Sequence, residues 1–278
     1  MKISNMDEKI LASVKDDNLE EFSLLVKNGV NLDFFDERQM SPLMYACDNG
    51  NPLMVKELIL QGARVNSQNV QGKSAMFFAA RRGDLEVVKL LVENGADVNL
   101  RDKNKGSVLF EGAIGGHKEV LSYLLECGAK ADAKDGCKST ALMKAVLNGH
   151  FEVVKLLVEK GVNIDEKDYW GRTPLICAVE EKNFEIAKYF ILKGCLIDEK
   201  DNKGMSALLK AVKNEDKKMA LYLLEGGADI LARNNEGKNV MMLSKNKEFK
   251  KAMIEIYKKR KAKMNNLLGM NKDNDFRL

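Results

Sequence analysis

Histidine, proline and tryptophan are nearly absent from this sequence, with two, three and one of them in 278 residues. His117 and His150 are the whole supply of imidazole. No histidine cluster is therefore available for a metal centre, and no cysteine has a histidine placed near it in a way that suggests an activated thiol. The five cysteines, Cys47, Cys127, Cys137, Cys177 and Cys195, are odd in number and include no CxxC pair. That pattern excludes a disulfide framework, leaves a zinc site unsupported and fits reduced thiols in a cytosol. Long apolar runs are missing too. No stretch of 18 uninterrupted apolar residues occurs, and the N-terminal segment reaches its first acid at residue 7 without an apolar h-region. Neither a membrane span nor a Sec-type signal is expected, and the expected location is cytoplasmic. There is no GxxxxGKS/T and no GxGxxG, and the run GAIGG from Gly112 to Gly116 has no strand before it. These absences leave no convergent set of titratable groups. The expectation is a chain without catalysis, metal or cofactor.

What is present is a period. Gly29, Gly62, Gly95, Gly128, Gly161, Gly194 and Gly227 follow one another at 33 residues, and Asp36, Asn69, Asp102, Asp135, Asp168, Asp201 and Asn234 keep the same step. With 45% apolar residues there is ample material for a core. Within one period, residues 69 to 101, Ser74 is placed to cap a short helix through about Arg82, which Gly83 breaks. Asp84 can then cap a second helix carrying Leu85, Val88, Leu91 and Val92 on one face. Asn94 and Gly95 end it, the glycine taking the left-handed conformation that other residues pay to adopt. The Asp, Asn and Gly that follow favour a tight turn or hairpin finger.

The motifs resemble the ankyrin repeats, whose unit of 33 residues has a TPLH-like start, a central GH, a VVKLLL-like second helix and a closing GADVN. Here these stand as Ser41-Pro42-Leu43 and Thr173-Pro174-Leu175, Gly116-His117 and Gly149-His150, Val87 to Val92 and Val153 to Val158, and Gly95 to Asn99. The resemblance implies an all-α solenoid of helix-turn-helix units with β-hairpin or turn fingers. Its expected parts are an N-terminal capping pair (1–35), six repeats (36–68, 69–101, 102–134, 135–167, 168–200, 201–233), a C-terminal capping unit (234–260) and a frayed tail (261–278). One departure is consistent: the family's histidine after TPL is replaced by Met44, Phe77, Phe110, Met143, Ile176 and Leu209, so apolar packing between repeats is expected instead of a buried hydrogen bond. The implied function is that of a monomeric scaffold binding a protein partner on a concave face built from fingers and first helices. Bacterial proteins of this size in the family resemble partner-stabilising factors or effectors delivered to a host cell, and nothing in the residues chooses between these.

Function in such a fold lives where the units differ. On the first helices one variable position reads Tyr45, Phe78, Glu111, Lys144, Cys177, Lys210, and the position three further on reads Asp48, Arg81, Ile114, Leu147, Glu180, Lys213. At the fingertips Tyr169 and Trp170 occupy a turn that elsewhere is polar or small. Trp, Tyr and Arg dominate interface energies. Tyr169, Trp170 and Arg172 are therefore the first candidate partner-binding group, the alternative being that the rings pack back on a neighbouring finger. Tyr45, Phe78, Arg81 and Arg82 form a second candidate patch, and Lys144 and Lys210 the basic end of the groove.

The basic character of the chain is concentrated near its C-terminus. Residues 245 to 263 hold nine Lys and Arg against Glu248 and Glu255, a local charge of +7 in a chain whose total is +4. Phe249, Met253, Ile256 and Tyr257 in this stretch fall at helical spacing, as expected of a helix packed on the last repeat. Electrostatic binding of nucleic acid or anionic membrane through it is the alternative function. A near-neutral total, with the rest of the chain summing to −3, argues against either.

Overall fold

The computed structural model describes residues 4–26 and 30–268, with side chains through 263. Gly29, the first of the in-phase glycines, and the last residues of the expected tail, 269–278, lie outside the described residues. Sixteen helices are present among the described residues, and contacts divide the chain into two compact units, Met1–Val162 and Asn163–Leu278. The first unit holds α1 (Asn5–Lys15) and α2 (Leu19–Leu25), α3 (Pro42–Asn49) and α4 (Pro52–Leu60), and α5 (Ala75–Arg82) and α6 (Leu85–Glu93). It closes with α7 (Val108–Gly115) and α8 (Lys118–Glu126), then α9 (Ala141–Leu147) and α10 (Phe151–Glu159). The second holds α11 (Pro174–Glu180) and α12 (Phe184–Leu192), α13 (Ala207–Lys213) and α14 (Lys217–Gly226), the single turn α15 (Val240–Leu243), and α16 (Lys247–Leu268). No helix is long and apolar enough to cross a membrane.

The pairing follows from local chemistry. Ser41, Thr140, Thr173 and Ser206 accept the amide three residues on and so start α3, α9, α11 and α13. Asn51, Asp84, Asn183 and Asp216 do the same for α4, α6, α12 and α14. Ser74 sits at the start of α5 as expected, but its hydroxyl makes no capping bond, and neither does that of Ser107 at α7. The buried face of α6 is Val87, Val88 and Leu91, with Leu85 and Val92 only half-buried. The buried face is thus rotated by a fraction of a turn from the one expected, with Val87 in the core in place of Leu85. Met44, Phe77, Phe110, Met143, Ile176 and Leu209 are all buried, so apolar side chains do fill the positions where the family pattern has histidine.

His117 and His150 stand where α8 and α10 begin but cap nothing. Each Nε2 instead lies against a carbonyl of the preceding helical pair, 2.9 Å from Arg81 O and 2.7 Å from Ile114 O. A carbonyl only accepts, so Nε2 carries the proton. Further stitches run along the closing turns. Asn66 Oδ1 accepts the Asp97 amide while its Nδ2 donates to Gly95 O, and Asn99 repeats both bonds with Lys130 and Gly128. In the second unit Asp165 and Asp198 accept the amides of Leu196 and Asp229.

The fingers are turns, with no strand among the described residues and only two isolated bridges, Arg101 with Ser107 and Lys200 with Ser206. Each is closed by its in-phase Asp or Asn. In the finger of Asp201, Oδ1 accepts the amides of Lys203 and Met205, and the main chain exchanges bonds with Met205 and Gly204. Asp36, Asn69, Asp102, Asp135, Asp168 and Asn234 repeat the scheme. Adjacent fingers are tied by backbone bonds such as Lys103 N to Gln71 O and Asn202 N to Trp170 O. At Gly72 this closeness and a φ of 78° together demand glycine, since a Cβ would stand 2.9 Å from Lys103 N.

Candidate partner-binding site

In the finger Asp168–Arg172 the Asp168 Oδ1 holds the amides of Trp170 and Arg172, which fixes the turn on which both aromatic side chains stand. Its Oδ2 receives Arg172 through Nε and Nη2, both at 2.8 Å. Arg172 Nη1 reaches Glu180 on α11 at 3.1 Å. Glu180 in turn meets Lys210 on α13, and Lys210 meets Asp201 at 2.9 Å. The guanidinium so anchored lies 5.0 Å from the centre of the Trp170 ring. Tyr169 stands edge-on to Trp170 at 6.0 Å and 90°. The rings remain 64% and 49% exposed. They do not fold away into the neighbouring finger. Beneath them Asn202 gives its amide to Trp170 O and its side-chain Nδ2 to Tyr169 O, at 2.9 Å each. Large aromatic surface is thereby held at a tip by charge-assisted bonds below it.

Arg172 and Lys210 thus join one network with Trp170 above it, while Lys144 belongs to a separate pair with Asp135 at 2.8 Å. In both lysine cases the variable position on the first helix reaches back to its own finger carboxylate. Tyr45 does likewise, its hydroxyl donating to Asp36 Oδ2 at 2.8 Å with the Lys15 ammonium 4.4 Å above its ring. Burial disfavours the ionised form of Asp36, but the Met40 amide, the Tyr45 hydroxyl and Lys15 outweigh it and hold the carboxyl below its usual value. Asp201 is treated in the same way by burial on one side and by Lys210 and the Met205 and Lys203 amides on the other. Phe78 is half-buried where its finger carries the neutral Asn69, which has no second oxygen to compensate. Arg81 and Arg82 are exposed, and Arg82 donates to Asp48 O at 2.8 Å. Sequence reasoning did not single out Glu180 or Asn202. The only signal was register: Asn202 lies one period after Tyr169, and Glu180 one helical turn after Cys177.

Three thiols are poor nucleophiles. Burial pushes Cys47 far up, and pushes Cys177 and Cys195 up to about 12. Among the described residues no three His, Cys, Asp or Glu side chains gather as metal ligands would.

Models of ankyrin repeats match residues 9–102, 49–135 and 109–201 in multi-repeat form and 203–235 as a single repeat. The chain belongs to the ankyrin-repeat family. Among many solved chains of similar structure is the crystal structure of the human ASB11 ankyrin repeat domain, 29% identical, with a TM-score of 0.72 over 78% of this chain and 98% of that one. No curated protein matches at the level of sequence. Ankyrin repeats serve in general as protein–protein interaction modules rather than as enzymes. In this ankyrin-repeat protein the finger Asp168–Arg172 presents the two exposed rings of Tyr169 and Trp170.

Proposed function

We propose that the chain is a non-catalytic scaffold that docks a protein partner on the face built from its fingers and first helices, centred on Tyr169 and Trp170. The observation that carries this is the Trp170 ring, half exposed and stacked on a guanidinium that Asp168 and Glu180 hold in place. An aromatic side chain fixed before binding loses little conformational freedom on docking, so most of its buried area becomes affinity. Lys144, Lys210 and Tyr45 act in this reading as braces that set finger positions, with Phe78, Arg81 and Arg82 as a secondary contact surface in the first unit.

The test is capture of a partner from lysate of the source organism by the intact chain and by Tyr169→Ala with Trp170→Ala. Truncating a central aromatic pair of this kind costs about 2 kcal/mol or more, roughly a thirtyfold loss of affinity. The captured protein is expected to disappear from the double variant. Its unchanged recovery would sink the assignment.

A further inference from the structure

Some lysines of this chain are committed to carboxylates and others are not. Lys15, Lys73, Lys144 and Lys210 each lie within 3.3 Å of a carboxylate. On α16, Lys247, Lys251, Lys258 and Lys259 are exposed, Lys250 is half-buried, and among the described residues none of the five forms an ion pair. Their arrangement on the helix is ordered. At about 100° per residue, Lys247, Lys251 and Lys258 fall within about 40° of one another, on a stripe about 16 Å long, with Lys250 along one border. Glu248 and Glu255 fall to the other side. Phe249 and Met253, buried where α16 packs along α14, fall roughly opposite. The helix therefore turns Phe249 and Met253 inward and Lys247, Lys251 and Lys258 outward, with the half-buried Ile254 between the second and third of these.

We propose that this stripe binds the phosphate backbone of a nucleic-acid duplex without reading its sequence. A protein partner needs a desolvated cluster of apolar or aromatic side chains, and the row offers only one, the half-buried Ile254. A bilayer is held by an apolar face inserted below the headgroups. Here that face is spent on α14. What remains is a linear set of point charges with Glu255 along its edge, which is sufficient to displace counterions from a polyanion and insufficient to distinguish one base from another. The near-neutral total of the chain does not oppose this, because residues 245 to 263 carry a local charge of +7.

The full chain is titrated into two labelled 20-base-pair duplexes of unrelated sequence, and in parallel sedimented with phosphatidylcholine vesicles containing phosphatidylserine. Expected are equal affinities for the two duplexes, with Kd on the order of 10 µM at 50 mM salt. Engagement of about four phosphates gives a log K against log salt slope of about −3 to −4. Lys247→Glu with Lys251→Glu and Lys258→Glu should weaken binding at least about tenfold, whereas Glu248→Lys with Glu255→Lys should tighten it. The second variant reverses charges on the same helix in the opposite sense, so damage common to charge reversal cannot account for opposite changes in affinity. Tyr169→Ala with Trp170→Ala should bind duplex as the unaltered chain does. Absence of duplex binding, a triple variant that binds undiminished, or sedimentation with vesicles alone would each overturn the proposal, the last in favour of an anionic membrane.

Discussion

Two serines at equivalent places behave differently, and the difference has an energetic sign. Ser41 Oγ accepts the Met44 amide at 3.2 Å. At Ser74 the corresponding amide, that of Phe77, bonds the serine carbonyl instead, at 3.0 Å, and the hydroxyl is left buried with no partner. Ser107 and Phe110 repeat this arrangement. A buried hydroxyl without a bond has lost its water for nothing, so its removal is close to neutral or gains stability. Removing a working cap costs about 1 kcal/mol. Ser41→Ala is therefore expected to lower the urea midpoint measurably, and Ser74→Ala to leave it within about 0.5 kcal/mol of the original or to raise it. Equal destabilisation by both would show that the Ser74 hydroxyl has a partner after all. Sequence reasoning placed Ser74 at the start of its helix but expected of its hydroxyl a capping bond that is not made. Position in the register fixes which residue stands at a helix start, but the choice between hydroxyl and carbonyl as acceptor depends on how the third residue, here a phenylalanine, is seated in the core.

The finger is the element in which a neutral and a charged version of one design can be compared within one chain. Asn69 and Asn234 close their turns with the same two amide bonds to Oδ1 that Asp201 makes. Asp201→Asn should therefore keep the turn and remove only the pairing of Oδ2 with Lys210, a charge-assisted bond worth about 1 to 2 kcal/mol. The folded-state pKa of Asp201 lies below its ordinary 3.8. Its contribution is then complete above that ordinary value and is lost as pH falls through the folded one. Lys210 is shifted upward from 10.5, burial being outweighed by Glu180 and Asp201, so its contribution is complete below 10.5 and fades only above it. The difference in stability between the unaltered chain and Asp201→Asn should be constant from about pH 5 to pH 9 and shrink progressively as pH falls below 3.8. Denaturant titration at those pH values checks it. A difference that persists undiminished at low pH would mean the carboxylate charge contributes nothing. The turns, their closing residues and the helix pairs were legible from a 33-residue period because caps and glycines act locally. The clamps were not. Asp168 takes its cation from four residues on, Asp201 from nine, and Glu111 from Lys73 in another finger, choices that rest on side-chain reach across packed helices.

A stack of repeats is stabilised by each unit and by its contacts with immediate neighbours, so the last unit must be covered or it frays. In the second unit that cover is α16, which packs along α14 and continues to Leu268, past residue 260 where the sequence suggested the capping unit ends. The run Lys258 to Lys263 sets like charges side by side, which opposes a helix there. Yet Lys, Arg, Ala and Met are strong helix formers, and no glycine or proline interrupts them before Gly269. Arg260 also reaches back to Leu224 O at 3.5 Å, at the C-terminal end of α14 where a cation is welcome. Phe249, 1% exposed, anchors the near end of this contact. Phe249→Ala removes a whole buried ring and should cost about 3 to 4 kcal/mol. Because coupling passes only between neighbours, the loss should be graded. Amide exchange is expected to accelerate most in α14 and α16, less in α13, and least in α11 and α12, when followed by mass spectrometry at neutral pH. Uniform acceleration through the second unit would show instead that it unfolds as one block, with α16 belonging to a common core rather than covering an end.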